Sequence, residues 1–443
     1  MSTKNAQPAR PKILVVGGGA GGLELVTGLG NTLGRKGRAE VTLVDDSETH
    51  IWKPLLHEVA AGTLDSHDDE LDYLAQAAAN HFRFVIGRMS GLDRAAKQVR
   101  LAPMLNDWGE EVVPERTQPY DILVIAVGSV CNDFGIEGVA QHCMFLDNTE
   151  QAEAFHKKLL EAYLHAHAVG GPKEPGELDV AIVGGGATGI ELSAQLYQAT
   201  RLLNAYGLDN VKPSDVSIHL IEASPSLLPG LPERLATATL QQLESLGIEV
   251  LLNEKVVEVT ADGMKTASGR FIPAALKVWA AGVKAPDFLA HIDGLETNRI
   301  NQLVVRLTLQ TTHDDDIYAI GDCAACPRPD KGEKSTVPPR AQSAHQMASL
   351  ALTNIRRKLK GQPQLDYRYR DYASLVSLGK FSTVGNLMGN LLGSVMIEGF
   401  VARLVYLSLY KMHQFAIMGP VRVVLLMIAG FFRNRLRPKI KLH

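Results

Sequence analysis

The sequence predicts an α/β protein made of two Rossmann-like dinucleotide-binding domains, and three observations carry that prediction. The first is Lys12-Ile-Leu-Val-Val-Gly-Gly-Gly-Ala-Gly-Gly22, an apolar strand running into a glycine-rich turn. The second is a near copy of it, Val180-Ala-Ile-Val-Gly-Gly-Gly-Ala-Thr-Gly-Ile-Glu-Leu192. The third is that each is answered by a strand ending in a carboxylate, Val41-Thr-Leu-Val-Asp45 and Ser217-Ile-His-Leu-Ile-Glu222. Repetition of a whole strand, turn and helix signals a duplicated unit rather than chance composition.

Gly17, Gly19 and Gly22 stand at G-x-G-x-x-G spacing. The first permits the tight turn, the second lets backbone N–H groups approach a pyrophosphate, and the third lets the helix pack closely on the strand. The helix N-terminus adds partial positive charge facing the phosphates. Asp45 is placed to accept hydrogen bonds from ribose hydroxyls. Gly184, Gly186, Gly189 and Glu222 repeat the arrangement, but Gly184 to Glu222 spans 38 residues. A longer helix, or an insertion near Leu203 to Ser214, is therefore expected. Glu222 is followed by Ala-Ser with no arginine for a 2′-phosphate, which favours NADH over NADPH.

The closing strands repeat too, since Leu276-Lys-Val-Trp-Ala-Ala-Gly-Val-Lys284 echoes Leu123-Val-Ile-Ala-Val-Gly-Ser129. Further along the chain, Thr311-Thr-His-Asp-Asp-Asp-Ile-Tyr-Ala-Ile-Gly-Asp322 ends another apolar strand in a carboxylate. The expected layout is a first domain over 11–150 and 299–385, a second over 151–298 inserted into it, and a C-terminal segment over 386–443.

Composition bounds the partners. A chain of 443 residues, 46% hydrophobic and 21% charged, is globular and too long for one ordinary core. Net charge is −3, which speaks against a nucleic-acid partner. From Gly399 to His443, however, there are eight basic and no acidic residues, so the other 398 residues carry −11. The polar N-terminus shows no apolar secretory segment. Four cysteines give no disulfide framework and fit a reducing cytosol.

Between the repeats, Pro54 sits at the start of a helix running to about Ala61, with Lys53 able to reach a diphosphate or simply standing exposed. A strand is expected over 82–89, and a buried one over 120–129. Gln342 and Gln346 lie four apart on the helix expected after Pro338 and share a face. The pair Cys323-Ala-Ala-Cys326 has spacing that suits a redox dithiol or a metal site, but no second such pair accompanies it, and no metal site is expected.

The tail reads as amphipathic. Val401, Leu404, Val405, Leu409 and Met412 share one helix face, and Arg403, Tyr406, Tyr410, His413 and Gln414 share the other. Gly419-Pro420 and Arg422 then interrupt an apolar run, leaving charge-free stretches of ten residues. Such stretches rise about 15 Å, half a bilayer core. The tail is therefore expected to lie in a membrane interface with Arg433 to Lys441 on anionic headgroups, or else to pair helices in a dimer interface.

Taken together, these residues resemble the two-dinucleotide-binding-domain flavoproteins and, within them, the type II NADH dehydrogenases. The likeness is carried by Val15-Val-Gly-Gly-Gly-Ala-Gly-Gly22, Trp52-Lys-Pro-Leu-Leu-His-Glu-Val-Ala-Ala-Gly62, Val183-Gly-Gly-Gly-Ala-Thr-Gly-Ile-Glu191, Val278-Trp-Ala-Ala-Gly282, Tyr318-Ala-Ile-Gly-Asp322 and Arg340-Ala-Gln-Ser-Ala-His-Gln-Met347. It looks closest to the gammaproteobacterial branch. One departure is Val127, where the wider superfamily often has threonine.

The resemblance implies FAD on Gly17, Gly18, Gly19, Ala20, Gly21, Gly22, Asp45, Lys53, Met89, Gly128, Asp322 and Ala341. It implies NADH on Gly184, Gly186, Ala187, Gly189, Glu222 and Gly282, and a membrane quinone at Gln342 and Gln346. Neutral glutamine amides suit a quinone carbonyl. Glu191 is a candidate proton relay, although Glu24 occupies the same place in the first repeat, and favouring a helix start would account for both carboxylates equally. The implied cycle is ping-pong NADH oxidation and quinone reduction without proton pumping. It would take place at the cytoplasmic side of the inner membrane, in a homodimer docked peripherally through the tail. The alternatives are reduction of a disulfide or other acceptor through Cys323 and Cys326, and a non-enzymatic redox-sensing flavoprotein.

Overall fold

Four consecutive buried residues, Ile13 to Val16, make β1 (Lys12–Val16) a strand covered on both faces, as parallel sheets require. The computed structural model containing it describes residues 10–443 except 107, 175, 333–334, 378–382, 390–392, 437–439 and 442–443. The chain forms two units: Met1–Ile51 with Glu70–Val130 and Lys284–Arg370, and Trp52–Asp69 with Cys131–Val283 and Asp371–His443.

In the first unit β1 leads into α1 (Ala20–Leu29) and then β2 (Glu40–Asp45). After the segment 52–69, which carries α2 (Leu56–Ala60) and belongs to the second unit, come β3 (Arg83–Ile86) and β4 (Ile122–Ile125). The strand expected over 82–89 is thus shorter, and Met89 opens a separate antiparallel strand, Met89–Asp93.

The second unit holds α3 (Thr149–Ala168), β5 (Val180–Val183), α4 (Ala187–Ala205), β6 (Ile218–Ile221), β7 (Glu249–Leu251) and β8 (Leu276–Trp279). The chain then returns to the first unit for β9 (Ile317–Ala319) and α5 (Ala341–Lys358).

The two sheets have the same plan. In the first the order is β9-β4-β1-β2-β3, all parallel, with Ile13 opposite Ile122 on one side and Val41 on the other. In the second it is β7-β6-β5-β8, all parallel, with Val180 opposite Ile218 and Leu276. Each glycine-rich strand therefore lies inside its sheet, and strand order reverses beside it, where such sheets bind ligands at their carboxyl ends. The long spacing in the second repeat comes from both sources: α4 has 19 residues where α1 has 10 and a π turn over Gly30–Gly34, and the stretch from α4 to the next strand, 206–217, carries a further turn at Pro213–Asp215.

Two glycines set how α5 lies on α1. A Cβ on Gly21 would meet the Ala344 carbonyl at 3.1 Å, and one on Gly28 would meet Leu352 at 2.8 Å. They are seven residues apart and so face the same neighbour.

The tail forms α6 (Gly399–Met418) and α7 (Pro420–Leu436), broken at Gly419 as expected. No helix among the described residues is long and apolar enough to cross a membrane. In α6 Tyr410 stacks on Trp52 at 5.0 Å, His413, Gln414 and Ile417 are buried, and Met412 and Phe415 face outward. α7 exposes Val421, Val424, Leu425, Leu426, Met427, Ile428 and Phe432. Arg437 and Lys439 lie outside the described residues. Lys441, assigned above to headgroups, is instead turned onto the protein. Its Nζ is 3.1 Å from Asp65, its N–H donates to the Gly62 carbonyl at 2.8 Å, and its carbonyl pairs with His156 at 3.0 Å.

Candidate active site

Each glycine loop is a place where a side chain has no room. Gly17 has φ +100°, and a Cβ there would lie 2.4 Å from the Ala126 carbonyl oxygen; Gly22 would put one 1.8 Å from the Gly17 oxygen. In the second unit Gly184 has φ +117° and its Cβ would meet the Ala280 oxygen at 2.7 Å, while Gly189 would meet the Gly184 oxygen at 2.1 Å. The middle glycines differ. A Cβ on Gly19 or Gly186 would meet nothing within 4 Å, and each residue caps its helix with extended backbone and no side-chain cap. The N–H groups of Ala20, Gly21 and Ala187 thus begin helices at an open surface, which is the arrangement a pyrophosphate needs. This cradle fits a dinucleotide in both units.

The two carboxylates close their loops identically. Asp45 accepts from the Gly18 N–H at 2.5 Å and from Ser47 at 2.9 Å. Glu222 accepts from the Gly185 N–H at 2.6 Å and from Ser224 at 2.7 Å. An ionised carboxylate has about four acceptor positions, so each keeps capacity for ribose hydroxyls. Burial pushes Asp45 up to about 6 against the two backbone hydrogen bonds that favour its charge. Tyr73, absent from the residues singled out by sequence, donates its hydroxyl to the Gly18 carbonyl at 2.8 Å and holds the loop from below.

The other residues assigned to the cofactors occupy varied positions. Met89 is buried in the first unit. Gly128 has φ +70° with open space where a Cβ would stand. Asp322 accepts from the Ser129 hydroxyl at 2.8 Å, and its own carbonyl accepts from Gln302 at 2.7 Å. Ala341 opens α5. Lys53 is 3.6 Å from Asp147 within the second unit. Gly282, with φ +68°, would drive a Cβ into the Phe134 ring at 2.5 Å.

Gln342 and Gln346 do share a face of α5, and both are engaged. Gln342 Nε2 donates to the Tyr369 hydroxyl at 3.1 Å. Gln346 donates to the Arg370 carbonyl at 2.8 Å and accepts from the Arg370 N–H at 3.0 Å. Both bind the segment just beyond the helix.

Glu24 and Glu191 each stand five residues into their helices, beyond the first turn, so a helix N-terminus does not explain them. Each meets a histidine instead. Glu24 pairs with His345 of α5 and accepts from the Ser349 hydroxyl at 3.3 Å. Glu191 is buried with its Oε2 3.5 Å from His57 Nδ1. One turn on, Gln195 accepts from the Thr63 hydroxyl at 3.2 Å, tying α4 to the segment after α2.

All four cysteines are free, and burial pushes Cys323 and Cys326 up to about 12. Burial thus disfavours the thiolate, the form a dithiol mechanism uses, at both sulfurs. Among the described residues no group of three or more His, Cys, Asp or Glu is arranged to hold a metal.

This geometry has two testable consequences. Gly189→Ala forces a Cβ into a carbonyl and is expected to cost about 3 kcal/mol in denaturant unfolding, whereas Gly186→Ala leaves unfolding unchanged yet weakens NADH binding about tenfold. Burial also holds His57 at about 4, against 6.5 when unfolded. Between those values the unfolded chain binds the extra proton, so its contribution to stability is complete above pH 6.5 and is lost as pH falls to 4. His57→Gln should therefore flatten the pH dependence of unfolding by about 1.4 kcal/mol per pH unit in that window; an unaltered slope would mean that the ring is protonated in the native state.

The chain matches the family of pyridine nucleotide-disulphide oxidoreductases over residues 11–348. It is 44% identical over 445 residues to a type II NADH:quinone oxidoreductase of Haemophilus influenzae, covering 97% of this chain and 99% of that protein. It is 32% identical over 390 residues to that of Staphylococcus aureus, covering 86% and 90%. Among solved structures, NDH2 from Plasmodium falciparum in complex with NADH is 20% identical with a TM-score of 0.80, covering 98% of this chain and 100% of that one. The sulfide:quinone oxidoreductase of Aquifex aeolicus is 19% identical with a TM-score of 0.72, covering 93% and 92%. Two glycine loops, each closed by its carboxylate, and near-complete alignment at this identity place the chain in the pyridine nucleotide-disulphide oxidoreductase family, among the type II NADH:quinone oxidoreductases.

Proposed function

We propose that this protein binds FAD in its first unit and NADH in its second, and catalyses NADH + H⁺ + quinone → NAD⁺ + quinol. The observation that carries the reading is the pair of cradles, each with an open helix N-terminus and a carboxylate beside it. Bound FAD supplies the two-electron chemistry that links hydride donation to quinone reduction. The chain's own residues bind, orient and move protons. Gly17 to Gly22 and Asp45 hold the first dinucleotide, with Met89, Gly128, Asp322 and Ala341 as further contacts. Gly184 to Gly189, Glu222 and Gly282 hold the second. The side-chain amides of Gln342 and Gln346 orient the quinone carbonyl, and Glu191 is the proton relay.

The outward apolar residues of α7, together with Arg422, support peripheral docking on an anionic lipid surface, where a membrane quinone is reached. The cytoplasmic face of the inner membrane, and a homodimer, complete the proposal.

Steady-state oxidation of NADH by the full, FAD-loaded chain with a short-chain ubiquinone tests it, alongside Leu425→Asp/Ile428→Asp. Turnover by both, with liposome binding by the unaltered chain alone, is the expected result. Failure to reduce quinone would remove the reading. A second test concerns the ribose carboxylate: Glu222→Arg should raise the kcat/KM ratio of NADPH to NADH about tenfold, and an unchanged ratio would displace Glu222 from the ribose.

A further inference from the structure

The buried pair Glu191 and His57 has a third member. His57 Nε2, opposite to the nitrogen that faces Glu191, is 3.9 Å from Glu58 Oε1. The three side chains form a line of carboxylate, imidazole and carboxylate within the second unit. Exposure grades along it: the Glu191 side chain is 7% exposed, His57 2% and Glu58 24%. Glu58 is the end that water reaches.

Three further features point the same way. His57 Nε2 is buried with no hydrogen-bond partner, an arrangement whose desolvation nothing in the resting structure offsets. The ring is also held in place, because the Pro54 carbonyl accepts from it. Finally, the first repeat lacks the device: Glu24 meets His345 at a more open position, with side chains 18% and 24% exposed, and Ser349 is its other partner.

The overall reaction needs such a line. A hydride carries two electrons and one proton, and a quinol takes up two protons, so one proton per turnover comes from solvent. A carboxylate buried like Glu191 cannot collect it directly.

We propose that His57 is the positioning and proton-transfer partner of Glu191, passing one solvent proton per turnover from Glu58 to Glu191 during quinone reduction. The inference rests on the reading of Glu191 as the proton relay. In the step, Nε2 accepts the proton of a transiently protonated Glu58 while the Nδ1 proton, held by the Pro54 carbonyl in the resting structure, passes to Glu191. Glu58 is reprotonated by water, and a ring flip restores the starting tautomer; no electrons move. Each gap closes to hydrogen-bond length with a movement of about 1 Å or less. Burial keeps the ring neutral at pH 7, as an imidazole that accepts at one nitrogen and donates at the other must be.

Charged and titratable groups on the surrounding elements are otherwise occupied. On α3, Glu153 accepts from Ser66 and His156 pairs with the Lys441 carbonyl. On α6, Tyr410 is raised by burial and by the Asp69 and Glu58 carboxylates, and so stays protonated.

The experiment uses the full, FAD-loaded chain as His57→Gln, Glu58→Gln and Glu191→Gln, in single turnovers with NADH and then a short-chain ubiquinone. Flavin absorbance and proton uptake by a pH dye are followed together. For His57→Gln, flavin reduction should stay within about twofold, while reoxidation and proton uptake slow together about tenfold or more and recover with added imidazole. Glu58→Gln should show the same pattern, and its reoxidation should lose the pH dependence of the unaltered chain. Wild-type reoxidation in His57→Gln with a slow Glu191→Gln would overturn the role of His57 alone. Wild-type reoxidation in both would remove the Glu191 reading as well. Slowing without imidazole rescue, or with reduction and reoxidation equally impaired, would make His57 a structural residue and overturn the proposal.

Discussion

The whole molecule depends on two close approaches between backbone segments. At Gly22 and Gly189 the helix comes so near the preceding turn that a Cβ would lie 1.8 Å and 2.1 Å from a carbonyl oxygen. That proximity directs the first N–H groups of α1 and α4 at the open space beyond Gly19 and Gly186. A larger residue would tilt each helix away and take its partial positive charge with it. The parallel sheets serve this constraint, because a strand buried on both faces fixes the turn at its carboxyl end.

Electrostatics then completes each cradle in the same manner. Asp45 and Glu222 accept from the N–H groups of Gly18 and Gly185, the residue after the first glycine of each loop, so each carboxylate locks its own turn. The cost falls on the carboxylate, whose burial raises Asp45 toward neutrality. The repeats diverge one helical turn later. Glu24 meets a histidine from α5 at a half-open position, whereas Glu191 meets one from α2 in the interior. One duplicated sequence thus holds two different environments, decided by which element packs on the helix.

The tail shows a similar inversion of a simple pattern. An amphipathic helix on a soluble protein ordinarily buries its apolar face. In α6 the side chains of His413 and Gln414 are buried along with Ile417, Tyr410 stacks on Trp52, and Met412 and Phe415 look outward; α7 buries Val423 and exposes most of its other described apolar residues. Polar groups can face a protein surface that offers partners, such as Trp52 for Tyr410.

The two glycine loops, their carboxylates, extra residues between the second loop and its carboxylate, and the break at Gly419 were all legible in the order of residues alone. These features are local: glycine spacing, strand hydrophobicity and a proline or glycine act over a few residues, and duplication made them readable twice. The folded chain was needed to show that Gln342 and Gln346 bind Tyr369 and Arg370, that Lys441 turns onto Asp65, that Tyr73 supports Gly18 and that Glu191 faces His57. Those partners lie 27, 24, 376, 55 and 134 residues apart, and no periodicity of helix or strand spans such distances. Which polar side chain meets which is settled by how helices and segments pack, and packing is a property of the folded whole.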